Sequence, residues 1–85
     1  MAAIEVYTTP YCYYCAAAKA LLRRKGAEFT EIDVSRNPER MAEMVKRTNG
    51  RLTVPQIFIG TNHIGGCDDL YALDKAGGLD PILAV

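Results

Sequence analysis

Ile4-Glu5-Val6-Tyr7-Thr8-Thr9-Pro10-Tyr11-Cys12-Tyr13-Tyr14-Cys15 is the run that decides how this chain is built. Ile4 to Tyr7 reads as a short buried strand, Thr8-Thr9-Pro10 as the turn that ends it, and Tyr13 to Lys25 as a helix. Cys12 therefore falls where a helix cap belongs, with Cys15 one turn further in. The first amides of a helix have no intrahelical partners, and the aligned peptide dipoles make that end partly positive, so a thiolate is favoured there over a thiol. The dipole contributes about 0.3–2 kcal/mol, whereas each unit of pKa depression needs about 1.4 kcal/mol. A larger shift requires direct hydrogen bonds to the sulfur. The amides of Tyr14 and Cys15 are the expected donors, since no proline follows Cys12 within the motif. Cys15, inside the helix, should remain a thiol and lie close enough to attack a disulfide formed at Cys12. Unequal acidity divides the work: Cys12 attacks and Cys15 resolves.

Two cysteines at this spacing also occur as half of a zinc site or as a buried apolar pair. A strand before the motif and a helix after it favour the redox reading.

The totals agree with it. Eighty-five residues are expected to form a single domain over 1–85 that folds without metal or disulfide staples. Hydrophobic residues make up 49% and charged residues 24%, the balance of an ordinary globular chain. Ten basic and ten acidic side chains cancel, so no overall field draws nucleic acid or an anionic membrane. Three cysteines are too few and too unevenly spaced for a secreted disulfide framework. No secretory leader or membrane-length apolar run is visible. A reducing cytoplasm is the expected setting, and there a cycling dithiol is favoured over a permanent disulfide.

After the first helix, Arg23-Arg24-Lys25 and Gly26 read as its end, and the basic triplet as solvated rather than as a docking patch. Glu28 to Val34 alternates, with Phe29, Ile32 and Val34 as the inward set, and completes a right-handed β-α-β unit with parallel strands. Open α/β sheets carry their sites at the carboxyl ends of such strands, where Cys12 lies. Ser35 or Asn37 starts a second helix, with Met41, Met44 and Val45 as packing residues and Asn49-Gly50 as its stop. Thr53 to Gly60 reads as a strand with Pro55 at its entrance, Thr61-Asn62 as a turn, and His63-Ile64 as the return strand of an antiparallel hairpin. Gly65-Gly66-Cys67-Asp68-Asp69 leads into a helix over Leu70 to Ala76. The glycines permit either close approach of an anion to free amides or a simple turn capped by Asp68 or Asp69. Asp80-Pro81 opens a last helical turn anchored by Ile82 and Leu83.

Three segments, Tyr7 to Cys15, Thr53-Val54-Pro55 and Gly65 to Leu70, in this order and at these separations, resemble a dithiol glutaredoxin of the bacterial glutaredoxin 3 type. The resemblance spans essentially the whole chain. It implies a thioredoxin fold, an α/β architecture with a four-stranded mixed sheet flanked by helices and Pro55 in the cis form. It also implies glutathione as the reducing cosubstrate, and glutathionylated or disulfide-containing proteins as partners of a monomer. By position, Cys12 becomes the nucleophile, Cys15 the resolving thiol and Tyr14 a wall of the glutathione pocket. The Val54 backbone pairs with the cysteinyl unit, with Thr53 and Pro55 beside it. Gly66 allows close approach, and the amides of Cys67 and Asp68 hold the γ-glutamyl carboxylate, with the Asp68 carboxylate near its ammonium. Two positions depart from the family pattern: Tyr13 stands where relatives usually have proline, and Thr9 where they often have lysine. Arg40, Arg47 and Arg51 are the candidates to replace the missing cation.

Other functions use the same residues differently. A cluster-binding dimer, in which Cys12 and glutathione thiolates hold an iron-sulfur cluster, is the alternative that Tyr13 keeps open. Zinc binding by Cys12, Cys15, His63 and Cys67 has suitable ligands but no known knuckle spacing. A thioredoxin-type reductase is disfavoured by the lack of tryptophan beside the motif.

Overall fold

The computed structural model describes residues 3–84; Met1, Ala2 and Val85, which the expected 1–85 domain includes, lie outside the described residues. The elements in chain order are β1 (Ile4–Thr8), α1 (Tyr13–Arg24), β2 (Thr30–Asp33), α2 (Pro38–Arg47), β3 (Gln56–Ile59), β4 (Asn62–Gly65), α3 (Cys67–Lys75) and α4 (Leu79–Leu83). They form a four-stranded mixed sheet in the order β2-β1-β3-β4. β1 is parallel to β2, and the β1/β3 and β3/β4 pairs are antiparallel. This is the thioredoxin fold implied by the resemblance.

The period of two in the central strands sorts the core into two half-cores. Ile4, Val6, Ile57 and Ile59 face α1, α3 and α4, meeting Leu21, Leu22, Leu70 and Leu79. Tyr7 and Phe58 turn to the other face and meet Met44 of α2, with Ile32 and Val34. A sheet covered on both sides has no single inward set. The expected trio therefore splits: Ile32 and Val34 pack under α2, while Phe29 packs against the α1 side.

On the α2 face Arg47 does several jobs. Its guanidinium lies 3.9 Å from the Phe58 ring centroid, donates to the Tyr7 hydroxyl at 2.8 Å and to Glu5 at 3.0 Å. The Tyr7 hydroxyl donates onward to Glu43 at 2.7 Å. α2 itself starts at Asn37, whose side chain accepts from the Arg40 amide, with Pro38 as its first residue.

Several local details differ from expectation. The hairpin turn is Gly60-Thr61 rather than Thr61-Asn62, because Gly60 adopts φ +63° and Asn62 already pairs with Ile59. α3 begins at Cys67, three residues before Leu70, since the Asp69 carboxylate reaches back to the Gly66 amide. The basic end of α1 is not merely solvated: Lys25 bridges Asp74 and Asp80 at 2.7 and 3.0 Å, tying α1 to α3 and α4. Arg23 lies over the Phe29 ring. No helix among the described residues is long and apolar enough to cross a membrane.

Candidate functional site

At the end of β1 the chain passes through Tyr11, a non-glycine residue at φ +60° with its ring wholly exposed, and turns into α1. Cys12 is the N-cap of that helix in an extended conformation, φ −99° and ψ 111°. Its Sγ accepts the Cys15 amide at 3.1 Å. Of the two expected donors, Cys15 is the one whose hydrogen bond is formed. The same sulfur lies 4.0 Å from the Val54 carbonyl, which brings β3's leading loop against the motif.

Cys15 is in a different environment. It is 1% exposed, between α1 and the sheet. Burial, and after it the hydrogen bond with Cys12, pushes its thiol up to about 12, so it stays protonated at neutral pH. Both cysteines are free thiols.

On one side of Cys12 is a groove of about 170 Å³ lined by Tyr14, Thr53, Val54, Pro55, Gly66, Cys67 and Asp68, together with Arg51 and Asp69. Every residue that the resemblance assigned to a ligand pocket lines this one groove. The Val54–Pro55 peptide is cis. Gly66 is the N-cap of α3 and donates to Asp69 at 2.9 Å, while the amides of Cys67 and Asp68 have no hydrogen-bond partner among the described residues. Those unpaired first-turn amides are suited to a carboxylate. The Cys67 thiol itself is buried, and burial, then the Asp68 charge, pushes it up.

On the other side is a more open cavity of about 580 Å³ that includes Thr9, Cys12, Tyr13, Cys15, Lys19 and Glu31. There Lys19 and Thr8 both donate to Glu31, at 2.9 and 2.8 Å, and Lys19 holds the Glu31 carboxyl below its ordinary range. Thr9 thus borders this cavity and not the groove. Tyr13 is exposed and meets Tyr14 edge to face at 5.5 Å.

Arg51 is the one arginine of the three candidates in the groove; Arg40 is paired with Glu43 on α2, and Arg47 with Glu5 and Tyr7. His63 does not join the cysteines. Its Nε2 lies 2.7 Å from Gln56 and its ring stacks on Phe58. No group of three or more histidine, cysteine or acidic side chains is placed to hold a metal ion among the described residues. Sequence reasoning had no groove role for Asp69, whose cap geometry depends on where α3 starts.

Known proteins place this geometry in a family. The glutaredoxin family model matches residues 4–64. Glutaredoxin 3 of Escherichia coli strain K12 is 59% identical over 83 residues, covering 98% of this chain and 99% of that protein. The solution structure of glutaredoxin from Brucella melitensis superposes with TM-score 0.85 at 61% identity, over 98% of this chain and 89% of that one. A crystal structure of a buckwheat glutaredoxin-glutathione complex superposes with TM-score 0.88 at 32% identity, over 98% of this chain and 77% of that one. The chain belongs to the glutaredoxin family of thiol-disulfide oxidoreductases.

Proposed function

We propose that this oxidoreductase draws its electrons from glutathione and acts on protein-glutathione mixed disulfides and protein disulfides, as a monomer in a reducing cytoplasm. In the first reaction the Cys12 thiolate attacks the glutathione sulfur of the mixed disulfide. The protein sulfur leaves as a thiolate and takes a proton from solvent, and Cys12 is left as a glutathione mixed disulfide. A second glutathione thiolate attacks the sulfur of the bound glutathione, releasing glutathione disulfide and restoring the Cys12 thiolate. With a protein disulfide, Cys12 forms the mixed disulfide with the substrate. Cys15 then gives up its proton to solvent and attacks Cys12, expelling the reduced protein and leaving a Cys12–Cys15 disulfide that two glutathiones reduce.

The observation that carries this reading is the convergence of Tyr14, the 53–55 loop and the start of α3 on one groove beside the Cys12 sulfur. Such a groove suits a tripeptide bearing a carboxylate and an ammonium at one end. In it, the Cys67 and Asp68 amides hold the γ-glutamyl carboxylate, the Asp68 side chain meets the ammonium, Val54 pairs with the cysteinyl backbone, and Arg51 faces the glycyl carboxylate. Thr53, Pro55 and Tyr14 form the walls, and Gly66 keeps the approach clear of a side chain.

The test compares two variants in a glutathione mixed-disulfide assay. Cys15→Ser should retain deglutathionylation and lose protein-disulfide reduction, while Cys12→Ser should lose both. Near-normal turnover by Cys12→Ser removes the assignment. The iron-sulfur reading shares Cys12 as ligand and rests on Tyr13. Anaerobic reconstitution with iron, sulfide and glutathione decides it, and a colourless monomer eliminates it.

A further inference from the structure

Gln56 opens β3 with no solvent exposure, and its buried amide is fully used. Nε2 donates to the Thr53 carbonyl at 3.0 Å and to the Thr53 hydroxyl at 3.2 Å. Oε1 lies 2.7 Å from Nε2 of His63, whose ring is stacked on Phe58 with centroids 4.8 Å apart. A carbonyl oxygen on one side calls for a donor there, so the amide is oriented by its partners and not by choice. The strand, the return strand and the loop before them are joined through this one side chain.

The consequence falls on the Thr53–Val54 peptide, which is trans. In a trans peptide the carbonyl and the amide hydrogen point in opposite directions. With the Thr53 carbonyl turned inward to Gln56, the Val54 N–H is turned away from the core, and it has no hydrogen-bond partner among the described residues. Val54 lines the groove, and its own carbonyl is the group beside the Cys12 sulfur.

We infer that Gln56, steadied by His63, is a positioning residue that sets the plane of the Thr53–Val54 peptide so that the Val54 N–H is presented to a backbone carbonyl of an extended ligand in the groove. This rests on the glutathione reading above, in which the cysteinyl carbonyl is that acceptor. Gln56 touches no reacting atom. It acts on recognition of the glutathionyl unit and leaves the exchange chemistry at Cys12 alone.

The test measures, on the full chain, the rate constants for attack by Cys12 on a glutathionylated peptide and on hydroxyethyl disulfide, which has no backbone carbonyl to recognise. The wild type prefers the glutathionyl substrate. In Gln56→Leu, and in Gln56→Glu, which keeps the size and the acceptor toward His63 but loses the donor toward Thr53, that preference falls about tenfold, the scale of one mispaired buried group. The hydroxyethyl disulfide rate is unchanged, which a general loss of structure cannot imitate. His63→Ala, which leaves Gln56 in place but unsteadied, lowers the preference about threefold. A preference retained in full by Gln56→Glu overturns the positioning role while leaving the glutathione groove standing. A wild type without any preference overturns the groove reading and this inference with it.

Discussion

α1 and α3 begin on either side of the same groove, and each carries a cysteine in its opening residues, yet the two starts offer opposite chemistry. At α1 the cysteine is the cap: Cys12 stands outside the helix with its sulfur turned back onto the Cys15 amide. At α3 the cap is Gly66 and the cysteine comes one residue later, where Cys67 directs its thiol into the core. The first helix end therefore contributes a side chain held as an acceptor, and the second contributes bare amides with no acceptor of their own. A one-residue difference in register relative to the cap separates a nucleophile from an anion cradle.

Four measurements put this contrast to the test. Cys12→Ala removes the reacting atom and should lower turnover by more than about a thousandfold, while costing about 0.5–2 kcal/mol of stability as a lost cap; steady-state assays and melting curves read the two separately. On the α3 side, Gly65 sits at φ +116° and a Cβ there would come within 2.2 Å of the Asp69 carboxylate. Gly65→Ala should therefore push Asp69 off the Gly66 amide and cost about 1–3 kcal/mol in denaturant titration.

The third measurement concerns Cys15. An unfolded thiol ionises at about 8.5, whereas in the fold Cys15 is pushed up to about 12 by burial. A raised value means that folding favours the protonated form, so this contribution is intact below about 8.5 and is lost as the pH climbs toward the folded value. The reduced protein should lose melting temperature between about pH 9 and pH 11 more steeply than Cys15→Ala does. Equal slopes for the two proteins would refute the burial account. The smallest effect is expected from Cys67→Ala, because that thiol supplies only volume: turnover should change by less than about twofold and stability by about 1 kcal/mol.

Much of this was visible in the residues because local and global preferences agree there. Ile4 to Tyr7, the cap at Cys12 and the alanine-rich run after it are signals within a few residues of one another, and α1 forms as expected. Asn37 followed by Pro38 is equally local, and it resolves the choice between Ser35 and Asn37. What could not be read depends on contacts between distant segments. Arg51 and Arg47 are the same residue type four positions apart, but α2 aims Arg47 at Phe58, while the loop after α2 delivers Arg51 to the groove. Gln56 looks like the polar half of an alternating strand, yet both faces of β3 are covered and its amide is buried against Thr53 and His63. The early start of α3 depends on Asp69 reaching backward, which competes in sequence with Asp68 for the same role.

The single helix over the second half-core is fastened by Arg47 through a ring face, a phenol and a carboxylate at once. Dissolved salt screens chiefly the last of these, because the cation–π contact and the charge-assisted hydrogen bond are short-range and made to the buried Phe58 and Tyr7 side chains. That layer should consequently hold its place in concentrated brine. A lysine at this position, with the same charge but no flat fork to lie on the ring, would make its attachment sensitive to ionic strength.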